Sequence, residues 1–395
     1  MAYIESKAPG KILWLGGYAV LEKPNMGYVT AINSYVHSKA HEIKENKISI
    51  NAKGFGSIEC LLNEDGGFEI KEEYEELKLL QLALKVASMY ANSLGYRAKG
   101  IYIETYNDPA ISYKVEKSKQ DSKVVKSGFG SSAAVVVSSI ASVLSIYGID
   151  TSSYEGKEVL HKLAQLAHSL GSGKIGSGFD VASAVYGSIK YERYSPSIIE
   201  NFPKDYNKWD IKKLIDSRWD YKIEKLEFPK IFKTIAASFA GQSTSTTSFV
   251  KAVNEFKKKN PEEYNLLINE IASYSNATIK SIEKINSEGV SEQLLEEFKE
   301  NFDKSRIAAK KLGLAANVGI EDEEVTKIIE ESKKNGAFVA RTHGAGGRDS
   351  LAAICISNEK MHMLKEYWKK LEGLEVIEIR VQNNGLMQNI NKIKI

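Results

Sequence analysis

The segment that most constrains the fold is Gly128-Phe129-Gly130-Ser131-Ser132-Ala133-Ala134, which leads straight into small apolar residues that continue to Ile146. Glycines allow backbone N–H groups to turn toward a ligand without a Cβ in the way. The run that follows has helical length and too few charges for a surface helix, so it predicts a buried helix. The free N–H groups and the positive dipole at its start predict a phosphate site.

Three competing interpretations of this segment differ in strength. It is not a Walker A loop, because GxxxxGK[ST] is absent. It fits the looser GxGxxA pattern of dinucleotide-binding domains, with Asp150 at a suitable distance beyond it, but a Lys/Ser stretch precedes it where that motif requires a buried strand. A plain glycine turn capped by Ser131 or Ser132 is the remaining alternative. Phosphate binding is the favoured interpretation, and a serine hydroxyl here is also a suitable ligand for Mg²⁺ on a nucleotide.

A second glycine-rich segment, Gly171–Asp180, also matches GxGxxG, but it follows a predicted helix and not a strand. Its most informative member is Asp180, a carboxylate on a glycine-rich turn ahead of the small residues 181–184. Such a carboxylate is placed to orient or deprotonate a hydroxyl nucleophile. Judged alone, the segment favours the plainer interpretation, in which Asp180 caps a helix.

A third glycine segment, Arg341-Thr342-His343-Gly344-Ala345-Gly346-Gly347-Arg348-Asp349, lies between two predicted strands. Its four small residues in a row allow the backbone to approach a ligand closely. Arg341, His343 and Arg348 are suited to hold an anion, the arginines through paired hydrogen bonds. The alternative is a tight hairpin with solvated charges, but such a turn requires only two residues. The segment therefore indicates a binding loop.

Length and charge narrow the class of protein. A chain of 395 residues suits two domains of roughly 200 residues each. With 54 basic and 51 acidic residues the net charge is +3, so neither nucleic acid nor an anionic membrane is expected as a partner.

The isolated Cys60 and Cys355 predict reduced, packed thiols. The first residues do not form a signal peptide and no apolar run of about 18 residues occurs, so a cytoplasmic protein is expected.

Hydrophobic periodicity predicts an α+β fold with mixed sheets and helices on one face. Helices are expected over 73–94, 133–146, 155–170, 247–259, 261–287, 292–312 and 321–334. The polar Lys/Ser stretch 107–127 is expected to be a long functional or disordered loop. The irregular, charged region 195–229 contains three prolines, and we place a boundary there that gives domains 1–205 and 206–395.

Three motifs in this order resemble the signature of the galactokinase–homoserine kinase–mevalonate kinase–phosphomevalonate kinase (GHMP) superfamily. The first is Lys7-Ala8-Pro9-Gly10-Lys11-Ile12 followed by residues 16–21, the second is 128–134, and the third is 344–349. Finer details are similar to phosphomevalonate kinases, namely Gly-Gly-Tyr-x-Val-Leu at 16–21, Lys126-Ser127 ahead of the second motif, GSGFDVASAVYGS at 176–188 and the Ser/Thr-rich turn 241–246.

The resemblance implies a fold, a reaction and cofactors. The fold would be a two-domain GHMP kinase fold, with an N-terminal ribosomal-S5-like α/β domain and a C-terminal ferredoxin-like domain. ATP and Mg²⁺ would be the cofactors, and ATP would meet an anionic mevalonate derivative in the cleft between the domains. The reaction would be phosphorylation of 5-phosphomevalonate to 5-diphosphomevalonate in the mevalonate route to isoprenoids.

The resemblance also implies roles for single residues. Lys7 and Asp180 would be catalytic: Lys7 would neutralise charge between the donor and acceptor phosphates, and Asp180 would orient Lys7 or the substrate. Because a phosphate acceptor is already anionic at neutral pH, positioning and charge neutralisation should outweigh general-base chemistry. The implied ligands of the ATP phosphates are Lys126, Ser127, Gly128, Phe129, Gly130, Ser131, Ser132 and Ala133, with Ser132 also on Mg²⁺. The implied substrate-binding residues are Lys7, Gly17, Tyr18, Ser177, Gly178, Asp180, Arg341, His343, Gly344, Ala345 and Gly346.

Two positions depart from the wider superfamily. Residues 167–172 contain no acidic side chain, although mevalonate and homoserine kinases carry a Mg²⁺-binding glutamate in this region. Phosphomevalonate kinases also tend to lack it. Arg348 stands where many relatives have glycine, which indicates a different grip on the substrate.

Three alternative functions stay open at this point. A mevalonate kinase, or a relative such as the diphosphate decarboxylase, would modify mevalonate derivatives. A kinase that activates a neutral hydroxyl would depend far more on Asp180. A protein of this fold that binds a nucleotide or metabolite without turnover is the second alternative, and a dinucleotide-binding oxidoreductase is the third.

Overall fold

The structure is a computed structural model of the chain and describes residues 2–118, 121–203, 205, 208–239 and 246–392. Within these ranges it contains fifteen strands and eleven α-helices. The strands are β1 (Ala2–Leu15), β2 (Gly27–Ile43), β3 (Lys47–Ala52), β4 (Gly56–Leu61), β5 (Gly100–Asn107), β6 (Ser112–Ser118), β7 (Asp121–Lys126), β8 (Ile189–Glu192), β9 (Lys222–Lys225), β10 (Lys233–Phe239), β11 (Val339–Thr342), β12 (Ser350–Cys355), β13 (Leu374–Ile377), β14 (Val381–Gln382) and β15 (Met387–Lys392). The helices are α1 (Lys78–Ser93), α2 (Ser131–Ile146), α3 (Tyr154–Ser172), α4 (Phe179–Tyr186), α5 (Ser197–Glu200), α6 (Ile211–Asp216), α7 (Thr246–Lys259), α8 (Pro261–Glu288), α9 (Glu292–Ala315), α10 (Glu323–Lys334) and α11 (Asn358–Trp368).

The larger sheet is built around the long antiparallel pair β1 and β2. Its main strand order is β15-β1-β2-β5-β3-β4, and β8 and β14 also pair with β2. Helix α2 packs against β1 and β2 and is flanked by α1 and α3. Its side chains from Val136 to Leu144 are all buried, which confirms the buried helix predicted from its small apolar residues. The register of β1 on β2 shifts between Pro9 and Lys11, and this irregularity sets where the following residues point.

The smaller sheet has the antiparallel order β11-β12-β10-β13. Strand β10, helices α7 to α10, the pair β11–β12, helix α11 and β13 follow one another along the chain. The succession is therefore β-α-β-β-α-β, which is the ferredoxin-like arrangement. An apolar cluster that includes Ile235, Leu351 and Trp368 fills the space between this sheet and α10 and α11. The expected ferredoxin-like C-terminal domain is thus confirmed.

The end of the chain returns to the larger sheet. After β13, strand β14 pairs with β2 and β15 pairs with β1. Strand β1, which carries the first motif, therefore lies between β2 and β15 in the sheet. The boundary between residues 205 and 206 stays a prediction.

Most predicted helices occur with ends shifted by a few residues, but two expectations need correction. The expected helix over 73–94 begins as a 3-10 helix, Glu72–Leu77, because Tyr74 has non-helical backbone angles, and only α1 is α-helical. The expected loop over 107–127 was wrong in its central part, where β6 and β7 form an antiparallel hairpin. Backbone hydrogen bonds hold the two strands of this hairpin together, and they do not depend on apolar side chains. The polar composition of the segment therefore gave no indication of strands.

The two cysteines, Cys60 and Cys355, are buried and unpaired, as expected of packed thiols. None of the helices within the described ranges combines the length and the apolar character that a bilayer span requires.

Candidate active site

Lys11 lies where the first and second motifs meet. Its backbone N–H donates to the carbonyl oxygen of Phe129 (2.8 Å), and its ammonium group donates to the carbonyl oxygen of Gly128 (3.1 Å). The residue is only 6% exposed. Burial lowers the pKa of Lys11, and the carboxylates of Asp180 and Asp349 oppose that shift. The site is therefore centred on a desolvated cation that faces two carboxylates from distant parts of the chain.

Lys7 occupies a different place on the same strand. Its ammonium lies 4.7 Å from the centroid of the Tyr35 ring, and its backbone pairs with His37. The lysine that the structure places among the glycine loops is thus Lys11, and the catalytic role expected for Lys7 stays a prediction. Both lysines belong to the first motif, so the motif alone did not distinguish them.

The glycines of the second motif occupy positions that disfavour a side chain. Gly130 precedes α2 with φ of +86°, and a Cβ there would lie 3.1 Å from the Lys11 side chain. Gly128 has φ of +78°, and a Cβ there would lie 3.1 Å from the Ser350 hydroxyl. In the described part of the chain no side chain caps α2, so its first N–H groups are available to an anion.

The serines of this motif have different surroundings. Ser127 is buried, and its hydroxyl donates to the carbonyl oxygen of Ala110 (2.7 Å), so its side chain anchors the loop. Ser131 and Ser132 are half-buried in the first turn of α2. The Ser132 hydroxyl lies 3.3 Å from Nε2 of His168. These two serines, and not Ser127, are placed to contact a ligand at the helix start.

A cavity of about 510 Å³, part of it open to solvent, adjoins the start of α2. Its lining comes from several separate parts of the chain and consists of Ala52, Lys53, Phe55, Glu76, Leu77, Leu79, Leu80, Thr105, Tyr106, Asn107, Ser131, Ser132 and Val135. Apolar walls beside an anion-binding helix terminus suit a flat heteroaromatic base whose phosphates reach that terminus. Sequence reasoning missed this cavity, because its residues have no common motif or spacing.

His343 connects the third motif to the second. Its ring stacks on Phe129 with centroids 4.8 Å apart, and its Nε2 lies 2.5 Å from the Ser350 hydroxyl. Burial, together with the charges of Lys11 and Arg341, holds the pKa of His343 well below its ordinary value. A neutral, enclosed imidazole is a weak partner for an anion. The surroundings of His343 therefore favour packing between the two motifs over contact with the substrate.

Arg341 is anchored in the protein interior. Its Nη1 donates to the carbonyl oxygen of Trp14 (2.5 Å), and its Nε donates to that of Thr342 (3.1 Å). Burial lowers its pKa to about 10. Loss of this side chain would leave buried carbonyl groups unpaired, so Arg341→Ala would test the fold as much as any grip on a substrate.

Several expected substrate residues do lie together beneath the third motif. The lining of a cavity of about 300 Å³ includes Gly17, Tyr18, Arg341, Gly344 and Gly346. The Tyr18 hydroxyl donates to the carbonyl oxygen of Ala345 at 2.8 Å, which ties the first motif to the third. This cavity also reaches the buried ion pair between Arg306 and Glu321.

Arg348 forms ion pairs with Asp322 (2.9 Å) and Glu324. These contacts attach the end of the third motif to the start of α10. Arg348 therefore has an anchoring role, and the different substrate grip expected of it stays a prediction.

Asp180 is the second residue of α4, and the residue that precedes this helix is Gly178, with φ of +81°. Asp180 is thus not the helix cap. The Asp180 carboxylate acts on Lys11 and also on Lys174, whose pKa is lowered by burial. Lys174 lies in the glycine-rich segment 171–180, but its role was not predicted. The electrostatic coupling of Asp180 to both lysines is consistent with the expected place of this turn in the site.

Buried polar side chains hold the turn that precedes Asp180. Arg193 donates from Nη2 to the carbonyl oxygen of Gly176 and from Nη1 to that of Leu21, both at 2.9 Å. The Tyr191 hydroxyl donates to the Ser177 carbonyl oxygen (2.9 Å), and the Gln165 amide donates to that of Gly178 (2.8 Å). The turn is therefore preorganised before any ligand binds.

The expected ligands of the ATP phosphates also include Ala133 and Lys126. Ala133 is buried inside the first turn of α2, so only its backbone can reach a ligand. The side chain of Lys126 and the turn 241–245 lie outside the described residues. Among the described residues, no group of three or more His, Cys, Asp and Glu side chains is arranged to hold a metal ion.

Comparison with known proteins identifies the family of the chain. The family model for the GHMP kinases N terminal domain matches residues 81–188, and the model for the GHMP kinases C terminal domain matches residues 290–371. The chain is 30% identical to phosphomevalonate kinase of Candida albicans, across 89% of each chain. It is also 30% identical to phosphomevalonate kinase of Saccharolobus solfataricus, across 98% of this chain and 100% of that protein. Its fold is similar to that of Streptococcus pneumoniae phosphomevalonate kinase in complex with phosphomevalonate and AMPPNP, with a TM-score of 0.73 and 18% identity over 96% of this chain and 99% of that one.

Two glycines of the Asp180 turn allow a matched test of its preorganisation. Gly178→Ala should destabilise the protein by about 2–4 kcal/mol, because a Cβ would lie 2.5 Å from the buried Gln165 amide in a left-handed backbone position. Gly173→Ala should cost only about 1 kcal/mol, because Gly173 is also left-handed (φ +66°) but has open space around it. Urea unfolding measures both values, and equal losses would contradict the close packing of Gly178 on Gln165.

Proposed function

The chain belongs to the phosphomevalonate kinase family of the GHMP kinases, and we propose that it transfers the γ-phosphoryl group of ATP to the phosphate of 5-phosphomevalonate. The products are ADP and 5-diphosphomevalonate. The observation that carries this proposal is the convergence of three motifs on Lys11, within the electrostatic reach of Asp180. Phosphoryl transfer needs positioning and charge neutralisation above all, and this arrangement supplies both.

Lys11 takes the role of neutralising the transferred group. A buried ammonium carries its charge in a region of low effective dielectric, where it attracts phosphate oxygens more strongly than in water. Its contact with the Gly128 carbonyl fixes it beside the free N–H groups of α2. The γ-phosphate bound at that helix start would therefore lie next to the Lys11 ammonium.

The acceptor side is assigned to the turn that carries Asp180. A phosphate acceptor needs no general base, so Asp180 acts by orienting Lys11 and Lys174, whose pKa values its negative charge raises. Lys174 is the better candidate than His343 for balancing the acceptor charge, because it is a cation and His343 is held neutral. The carboxylate of the acceptor would be balanced by the same pair of lysines.

ATP binds with its phosphates at the first turn of α2 and its base in the adjoining cavity of about 510 Å³. Mg²⁺ usually retains several waters and binds through one or two protein oxygens together with nucleotide phosphates. The Ser132 hydroxyl, half-buried at this helix start, fits such a minimal donor set. The metal would therefore arrive as part of MgATP, and Ser132 would help to orient it.

The other expected properties stay proposals of the same kind. We assign the protein to the cytoplasm and expect no nucleic-acid or membrane partner, from its near-neutral charge and unpaired cysteines.

The acceptor is tested by ADP release from MgATP with 5-phosphomevalonate and with mevalonate in separate reactions. We expect turnover only with the phosphorylated acceptor, because its phosphate is anionic at neutral pH and can be held by the cations Lys11 and Lys174 without a general base. Turnover with mevalonate alone would contradict the proposed acceptor and favour a mevalonate kinase.

The lysine assignment is tested by the matched variants Lys11→Met and Lys7→Met. Both retain most of the side-chain length and remove one positive charge. Lys11→Met should lower kcat by about 100- to 1000-fold, the usual effect of removing a charge-stabilising donor from a transition state. Lys7→Met should lower kcat by less than about threefold, because a cation held over a ring contributes little to a remote site. A larger loss for Lys7→Met would return the role to Lys7.

A further inference from the structure

A second cleft opens between helix α11, the start of β10 and the segment that crosses from β13 to β14. It spans about 1730 Å³, part of it open to solvent, and is larger than the cavity beside α2. Its lining consists of Asn33, Phe228, Phe232, Lys233, Thr234, Ile235, Asn358, Met361, His362, Lys365, Glu378, Ile379, Arg380 and Val381. No residue of the three motifs or of the Asp180 turn belongs to this set.

Strand β10 separates this cleft from the third motif. At the cleft end of the strand Lys233 pairs with Cys355, and at the other end Ser238 pairs with Ser350, next to Asp349. Five residues of extended chain span about 17 Å. The cleft is therefore distinct from the site proposed for ATP and the acceptor.

The floor of the cleft is apolar and rigid. Phe228 and Phe232 are at most 8% exposed, and their rings contact each other at 5.6 Å between centroids. Phe228 stacks on Trp14 (5.9 Å), and Phe232 packs on Phe298 (4.9 Å). A ligand could contact the exposed edges of these rings and the other apolar side chains of the lining without reorganising them, which favours binding of an apolar group.

The rim of the cleft is basic. The lining contains three basic side chains, those of Lys233, Lys365 and Arg380. Its one carboxylate, Glu378, forms an ion pair with Lys365. The Lys233 ammonium donates to the carbonyl oxygen of Lys230 (3.1 Å), and an ammonium has three donors, so it can also bind a ligand.

Arg380 is held at this rim by its backbone. Its N–H donates to the side-chain oxygen of Asn33 (2.6 Å), and its carbonyl oxygen accepts from the Asn33 N–H (2.8 Å). The exposed guanidinium is thereby presented at the cleft from a fixed main chain. A planar guanidinium binds phosphate oxygens through two parallel hydrogen bonds.

We propose that this cleft is a second ligand site, for an organic phosphate whose hydrocarbon body lies on Phe228 and Phe232. The phosphate would contact Lys233 and Arg380. Inorganic phosphate would leave the aromatic floor unused, and an uncharged amphiphile would leave the cations unused. The site touches β2 through Asn33 and β10 through Lys233, and therefore spans both sheets.

Hexyl phosphate is a suitable probe, with inorganic phosphate and hexyl glucoside as partial probes. Calorimetric titration is carried out on the full chain with saturating ADP and 5-phosphomevalonate, which occupy the nucleotide and acceptor sites. We expect hexyl phosphate to bind at least about tenfold more tightly than inorganic phosphate, since two buried CH₂ groups already contribute about this factor. It should also bind more tightly than hexyl glucoside, which lacks the charge-assisted hydrogen bonds of a phosphate. Equal binding of hexyl glucoside, or loss of the signal when ADP and 5-phosphomevalonate are added, would overturn the proposal.

Charge-matched double variants locate the binding. Lys233→Met with Arg380→Gln should weaken hexyl phosphate binding by about tenfold or more, because it removes both phosphate contacts. Lys258→Gln with Lys259→Gln removes the same charge from the exposed end of α7 and should leave binding unchanged. Both variants should retain wild-type turnover, which shows that they fold. Equal affinity in the two variants would place the ligand elsewhere and refute the site.

Discussion

The burial of the Lys11 ammonium is the interaction on which the rest of the site depends. A cation removed from water must be compensated by carbonyl dipoles or by opposite charges. Here the compensation comes from the Gly128 carbonyl and from Asp180 and Asp349. Gly128, Asp180 and Asp349 belong to three different glycine-rich segments. The need to compensate one buried charge therefore brings three distant parts of the sequence close to Lys11. The glycines follow from the same requirement, because a side chain at Gly130 would press on Lys11.

The two sheets provide the frame for this convergence. Strand β1 carries Lys11 in the larger sheet, while β11 and β12 hold the third motif at the edge of the smaller one. Contacts between motifs then fix the loops: Tyr18 to the Ala345 carbonyl, and His343 against Phe129. The loops are therefore positioned by buried polar and aromatic contacts before a nucleotide binds. Preorganisation of this kind is what phosphoryl transfer requires, since little covalent chemistry falls to the protein.

Much of the fold and of the phosphate-binding loop could be predicted from the sequence. Glycine patterns indicate where the backbone turns or approaches a ligand, and runs of small apolar residues indicate a buried helix. The buried helix α2 and its phosphate-binding start follow from such local signals. The position of Lys11 among the glycine loops could not be predicted, because it depends on the register shift in β1 between Pro9 and Lys11. The cavity beside α2 and the anchoring of Arg341 and Arg348 also escaped, since each depends on contacts between residues far apart in the chain. The hairpin of β6 and β7 was missed because its composition is that of a loop.

A crystal structure with AMPPNP and 5-phosphomevalonate bound would test the central claim most directly, through the distances from lysine ammonium groups to the two reacting phosphates. We predict that the Lys11 ammonium lies about 3 Å from a γ-phosphate oxygen and close to the acceptor phosphate, as charge-assisted hydrogen bonds require. Lys7 should remain over the Tyr35 ring. Phosphates that bind away from Lys11, or a Lys7 ammonium between donor and acceptor, would contradict the role given to Lys11.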